Sequence, residues 1–184
     1  NNAHSTDWKT PLWRTASEAG LPLAWVPEAL GGAGASLPEG FEVIAAAGRF
    51  ALPIPLAETM FAGWLLAQAG IEAPKGAMTV APARPRDKLT LNPDGTLSGY
   101  ASGVPFAADC GHIAVLAADD TGVTIALVKA VDCRVGEGFN LAGEPSNAVT
   151  LDRVTPIKSA PAPDGFNASS LFLMGATVRG LQIA

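Results

Sequence analysis

The chain has 184 residues, of which 48% are hydrophobic and 16% charged, and its formal net charge is -5. That is enough apolar material for a sizeable core, and enough length for one large domain or two small ones. The acidic balance argues against nucleic acid or an anionic membrane as partner, and no apolar run reaches the roughly 18 residues of a membrane span.

Two cysteines form no disulfide framework, so a reducing cytoplasm is the simplest setting. Residues Asn1 to Lys9 are polar and lack a signal-peptide pattern. The first residue is asparagine rather than methionine, which points to a processed, trimmed or partial chain.

Taken in order, Asn1 to Thr10 reads as a disordered lead with Asp7 as a candidate cap. A short helix is expected over Trp13 to Ala19, closed by Gly20 in a left-handed conformation. Leu21 to Val26 then reads as an extended apolar connection. It leads into Pro27-Glu28 and the glycine-rich turn Gly31-Gly32-Ala33-Gly34. Ser36 and Glu39 have the spacing of a capping box, with Pro38 in the first turn. A second helix is therefore expected from about Leu37 to Gly48, with Leu37, Phe41, Ile44, Ala45 and Gly48 on one face.

Prolines 53 and 55 keep the next segment extended. A third helix follows over Leu56 to Ala69 and stops at Gly70. Met60, Phe61, Trp64, Leu65 and Leu66 make it apolar almost all round, so it must be covered by a second domain or a partner chain.

Near Pro74 the pattern changes from helical to period two. Strands are expected at Met78–Ala81, Lys88–Leu91, Thr96–Tyr100, His112–Ala117, Val123–Val128, Val131–Val135, Asn147–Leu151 and Val154–Lys158. Asn92-Pro93-Asp94-Gly95 and Asp119-Asp120-Thr121-Gly122 are strong turn signals between them. Such spacing points to an antiparallel barrel or sandwich. A final helix carries Leu171, Met174, Val178 and Leu181 on one face. The chain ends within it at Ala184 without a cap signal, which points to a longer parent.

The ordered set Gly20-Leu21-Pro22-Leu23, Val26-Pro27-Glu28, Gly31-Gly32-x-Gly34, Ala47-Gly48-Arg49, Pro53-Ile54-Pro55 and Glu58-Thr59 resembles the N-terminal helical domain of acyl-CoA dehydrogenases. The likeness is close over Trp13 to Gly70 and looser over the next hundred residues. It implies an α+β multidomain fold in three parts. Residues 1–73 would be a partial helical N-terminal domain, 74–163 a middle β-barrel, and 164–184 the start of a truncated C-terminal helical domain.

The resemblance also implies a reaction, the α,β-oxidation of an acyl-CoA thioester, in which a carboxylate takes the α proton and flavin adenine dinucleotide (FAD) takes the β hydride. By resemblance the cofactor-contacting positions are Thr79 in the first barrel segment and Val104, Pro105, Phe106 and Ala107 in the second. Both segments depart from the family pattern. Met78-Thr79-Val80-Ala81-Pro82 is followed by Ala83-Arg84-Pro85-Arg86, with the usual Gly-Ser-Asp missing, and Val104-Pro105-Phe106-Ala107 stands where a Trp-Ile-Thr-like run is usual. Phe106 either stacks on a flavin ring or belongs to plain barrel core, and the second is the preferred reading.

The family's base lies in the C-terminal bundle, so no catalytic residue is assigned within this chain. FAD belongs to the family but is expected to be absent here. The expected partners are an acyl-CoA substrate and a homo- or hetero-oligomeric assembly with another chain of this kind. The chain is then either part of the oxidising enzyme or a degenerate, non-catalytic subunit that supports a catalytic partner.

Other candidates carry less. The glycine run lacks the Lys-Ser/Thr of a phosphate loop and the third glycine of a dinucleotide fingerprint. Cys110, His112 and Cys133 fall short of the four ligands of a structural zinc site, so no metal is expected. Glu42 and Glu58 sit on otherwise apolar helices. Either is a candidate base, but the preferred reading places both on exposed faces.

Overall fold

The computed structural model describes residues 9–120 and 122–183. Its helices are α1 (Lys9–Glu18), α2 (Leu37–Arg49), α3 (Leu56–Gln68) and α4 (Ala168–Ile183). The strands are β1 (Met78–Ala81), β2 (Lys88–Leu91), β3 (Leu97–Pro105), β4 (His112–Ala118), β5 (Val123–Lys129), β6 (Arg134–Gly136), β7 (Ser146–Val154) and β8 (Lys158–Pro161). The fold is α+β: one curled, eight-stranded mixed sheet with α3 and α4 packed on its outer face and α1 and α2 clustered with them.

The first helix starts earlier than expected and takes in Lys9 and Thr10. Pro11 sits in its first turn, where a missing N–H costs nothing. The expected cap at Asp7 lies outside the described residues. The connection after α1 is wound rather than extended, with 3-10 turns at Leu21–Leu23 and Glu28–Leu30. The glycine run then folds back on it, as Ala33 N–H donates to Leu23 C=O at 3.1 Å, Gly34 to Val26 at 2.9 Å and Ala35 to Ala24 at 2.8 Å. Gly31 adopts φ 83° and Gly34 φ 66°, and a Cβ at Gly32 would lie 2.1 Å from Val26 O. The glycines thus serve a tight turn and a close backbone approach.

The sheet order is β6-β7-β3-β2-β4-β5-β8, with β1 on β4. Most pairs are antiparallel, but β1 and β2 each run parallel to β4. They occupy successive stretches of the same β4 edge, Met78–Ala81 opposite His112–Val115 and Thr90 opposite Ala118. Between them Pro82 and Pro85 lack the N–H groups a continuous ladder requires.

Two expected strands are also redrawn. Val131 lies in a 3-10 turn, Ala130–Asp132, and β6 begins only at Arg134. The expected strand over Val154–Lys158 is broken: Val154 ends β7, Lys158 begins β8, and residues 155–157 between them lie outside any strand, with Arg153 at φ 53° just before the end of β7 and Pro156 lacking a donor in the gap.

Side chains of β4 and β5 sort cleanly by face. Ile113, Val115, Ala117, Ala126 and Val128 fill the inside of the curl with Val104, Ala107, Val149 and Leu151. Their neighbours Ala114, Leu116, Ile125 and Leu127 face outward onto Ala62, Leu65 and Leu66 of α3 and Leu171 of α4. Both faces are covered, so these strands read as continuous apolar runs. The uniform apolarity of α3 has the same cause. One side packs on the sheet, while Leu56, Ala57 and Met60 pack on Trp25, Ile44 and Val178.

Candidate functional site

The site is built where α3 meets β1. No side chain caps α3, because Pro55 stands at its N-cap position. Its start is held instead by Thr59, which is fully buried. The Thr59 hydroxyl lies 2.6 Å from Pro55 C=O and 3.2 Å from Met78 C=O, either of which can take its proton, and it accepts from Met78 N–H at 3.0 Å. This clamp fixes the residues on either side of it, Glu58 on the helix and Thr79 on the strand.

Both residues line a cavity of about 430 Å³. Phe61 completes the α3 wall, while Val80, Pro82, Ala83, Pro85 and Pro105 form the sheet side. Leu171, Phe172, Gly175, Ala176, Val178 and Arg179 of α4 close it. Gly175 belongs in this wall, since a Cβ there would already touch Phe61 at 3.4 Å. Lining that is almost wholly apolar, with a few convergent polar groups, is the usual character of a small-molecule site.

Glu58 is one of three polar residues in that lining, with Thr79 and Arg179. It was expected on an exposed face, yet it is only 5% exposed, because the turn of α3 that carries it is covered by α4. Its Oε1 lies 3.5 Å from Gln182 Nε2, and its Oε2 is buried with no hydrogen-bond partner. Burial pushes the Glu58 carboxyl above its ordinary range, and the Arg179 guanidinium offsets this in part. The Thr79 hydroxyl is likewise buried without a partner. Glu42 is exposed, as expected.

The expected cofactor-contacting residues separate. Thr79 and Pro105 line this cavity. Val104 and Ala107 do not, because both are fully buried inside the curl of the sheet. Phe106 belongs to neither place. Its backbone turns out of the strand at φ 52°, and the ring lines a second cavity of about 1010 Å³ between the end of α2 and the 137–145 loop. It is 6% exposed, a buried residue as the preferred reading has it, although it stands apart from the cluster inside the curl. The five positions thus do not share one cavity.

The second cavity is larger but less apolar. Its buried polar side chain, Asn147, is engaged at both ends: Oδ1 accepts from Ala108 N–H at 3.2 Å and Nδ2 donates to Gly136 C=O at 3.0 Å.

Cys110 is buried, which drives its thiol far above the ordinary range. Burial raises Cys133 to about 11, with Asp132 adding to it. His112 is held below its usual value by burial and by Lys129 beside it in register. Neither thiol is poised as a nucleophile. Among the described residues, no three His, Cys, Asp or Glu side chains gather as metal ligands, and no helix is long and apolar enough to cross a membrane.

No protein-family model matches the sequence, and no curated protein does. Solved structures do match. A variant of the Tcur3481–Tcur3483 steroid ACAD is 26% identical, with a TM-score of 0.69 over 93% of this chain and 51% of that one. The chain has the acyl-CoA dehydrogenase-like fold.

The ChsE4–ChsE5 complex from Mycobacterium tuberculosis has a TM-score of 0.74 at 18% identity, over 94% of this chain and 53% of that one. PigA with FAD and proline has a TM-score of 0.70 at 18% identity, over 90% and 53%. The chain thus spans about half the length of these acyl-CoA dehydrogenase-like structures.

The signal for Glu58 was present in the sequence but was outweighed. It is a carboxylate in the first turn of a helix that is apolar on every side, and such a helix has no exposed face to give it.

Proposed function

We propose that this chain is part of an acyl-CoA dehydrogenase-like flavoprotein, and that the cavity between α3, β1 and α4 receives the acyl portion of a coenzyme A thioester. One observation carries this reading. An apolar cavity of about 430 Å³, in a fold shared with acyl-CoA dehydrogenase-like proteins, is walled by both helices and the sheet. The steroid ACAD at 26% identity supports an acyl thioester as the ligand class.

The test is calorimetric titration of the full chain with octanoyl-CoA. Saturable binding is expected. Gly175→Leu, which fills the cavity from α4, should weaken it by roughly tenfold or more. Absence of binding to the native chain would remove the reading.

A second reading concerns the chain's share of the work. Val104 and Ala107 are committed to the inner core and Phe106 to the second cavity. Few groups here are then free to hydrogen-bond a flavin, and buried polar groups left unpaired are costly. This favours a supporting subunit, paired with a second chain of the same fold that holds the cofactor. When bound, FAD supplies the hydride acceptor. The two unbridged cysteines suit a cytoplasmic assembly. Excess FAD added to the purified chain should be lost on desalting, as read from the visible spectrum, and near-stoichiometric retention would overturn this assignment.

A further inference from the structure

Two residues that line the apolar cavity each carry a buried polar atom with no hydrogen-bond partner among the described residues. Glu58 Oε2 is buried without a hydrogen-bond partner in a wall that is otherwise nearly all hydrocarbon. Its position is fixed rather than incidental, because the adjoining Thr59 hydroxyl is clamped to both backbone groups of Met78. The other carboxyl oxygen is turned toward Gln182. A second buried hydroxyl without a partner, that of Thr79, belongs to a residue lining the same cavity. Leaving such an atom unpaired is unfavourable, so the arrangement suits a ligand that brings the missing partner.

We infer that Glu58 is a specificity-determining residue that binds a hydroxyl group on the acyl portion, so that the preferred ligand is a hydroxyacyl thioester rather than a plain hydrocarbon chain. The inference rests on the acyl reading of the cavity. A hydroxyl is the group that fits in either protonation state of the carboxyl. It donates to an ionised oxygen and accepts from a protonated one. A carbonyl serves only the protonated form, and an ammonium only the ionised one. The opposing charge of Arg179 and the burial pull Glu58 in opposite directions, and a hydroxyl tolerates either result.

The experiment is calorimetric titration of the full chain with octanoyl-CoA and with its 5-, 6-, 7- and 8-hydroxy derivatives. In an apolar pocket with no partner, each hydroxyl would weaken binding, because the group loses water and gains nothing. Here at least one hydroxyacyl probe should bind roughly tenfold tighter than octanoyl-CoA. Glu58→Met, an apolar side chain of similar length, should abolish or invert that preference, whereas Glu58→Gln should keep most of it. A merely structural role would shift all probes together and leave the ratio unchanged.

Equal or weaker binding of every hydroxyacyl probe to the native chain would overturn the inference while leaving the acyl reading intact. It would mean that water or Arg179 satisfies Glu58. If no thioester binds at all, the acyl reading fails and the inference fails with it. The native ratio decides the matter even if Glu58→Met does not fold.

Discussion

Both α2 and α3 carry a glutamate at their third residue, Glu39 in one and Glu58 in the other. Ser36 precedes α2 and offers a hydroxyl and an N–H. Glu39 Oε2 accepts both, at 2.7 and 2.8 Å, and its own N–H donates to the Ser36 hydroxyl at 3.5 Å. Pro55 precedes α3 and offers neither group. Glu58 therefore cannot close a capping box, and the helix start is secured by the Thr59 clamp to β1 instead. One glutamate is consumed by its own helix on the surface. The other is left over and buried, on a residue that lines a cavity. The difference between the two carboxylates begins at the residue before each helix, and the cover that α4 lays over Glu58 completes it.

The strongest way to break this comparison is Thr59→Val, which keeps the volume and removes the clamp. It strands the buried Met78 N–H, at a cost of roughly 1–3 kcal/mol. The melting temperature should fall by roughly 3–10 °C. A melting temperature within a degree of the native value would mean that packing alone holds α3 to β1.

Glu58→Gln should act in the opposite direction. Burial raises the folded-state pKa of Glu58, so the folded chain holds this proton more tightly than the unfolded one. Its contribution to stability therefore falls as pH rises from the ordinary value of 4.5 through the raised one, and the full cost is present above that window. The charged and polar groups that bear on it are Arg179 and Gln182 of α4 and Glu144 of the loop before β7. Removing the titration should raise the melting temperature at about pH 8 by roughly 2–4 °C and change little near pH 4. A gain that does not depend on pH would show that the carboxyl is not the burdened group.

The comparison also marks what was legible in the sequence. The capping box at Ser36 and Glu39 was plain, because every atom in it lies within four residues. The turn Asn92–Gly95 was equally local, with Asp94 accepting from Thr96 N–H at 3.1 Å. The faces of α4 were read correctly from spacing, Leu171 and Val178 buried, Met174 and Leu181 half-buried. What escaped was set by contacts between distant segments. The parallel docking of β1 on β4 and the burial of Glu58 both depend on where α3 lies on the sheet. The separation of Pro105 from Phe106 into different cavities depends on one positive φ that no neighbouring glycine announced.

A smaller effect is expected at the capped end. Ser36→Ala removes the hydroxyl that Glu39 N–H and carboxylate share, at a cost of roughly 1 kcal/mol, or about 2–4 °C in melting temperature. Ser36→Asp should restore most of it only if the cap, rather than the pairing with Glu39, is what matters. Should both substitutions cost the same, the reciprocal pairing is the stabilising element.

The smallest effect belongs to Glu39→Gln, and its sign sharpens the contrast best. Hydrogen bonds from the Ser36 hydroxyl and N–H hold the Glu39 carboxyl below its ordinary value, and the group is fully exposed. A lowered folded-state pKa contributes stability that is present above 4.5 and is lost as pH falls through the folded value. Glu39→Gln keeps an amide oxygen that can accept the same bonds, so only the charge is lost, and solvent screens most of its worth. The melting temperature should fall by no more than about 1 °C near neutral pH and converge on the native value in acid. Glu58→Gln also converges in acid but departs upward. Two substitutions of one residue type at one helix position should therefore give difference curves that open in opposite directions as pH rises. Curves of the same sign would mean that the burial of Glu58, and with it the argument for its role in the cavity, has been misassigned.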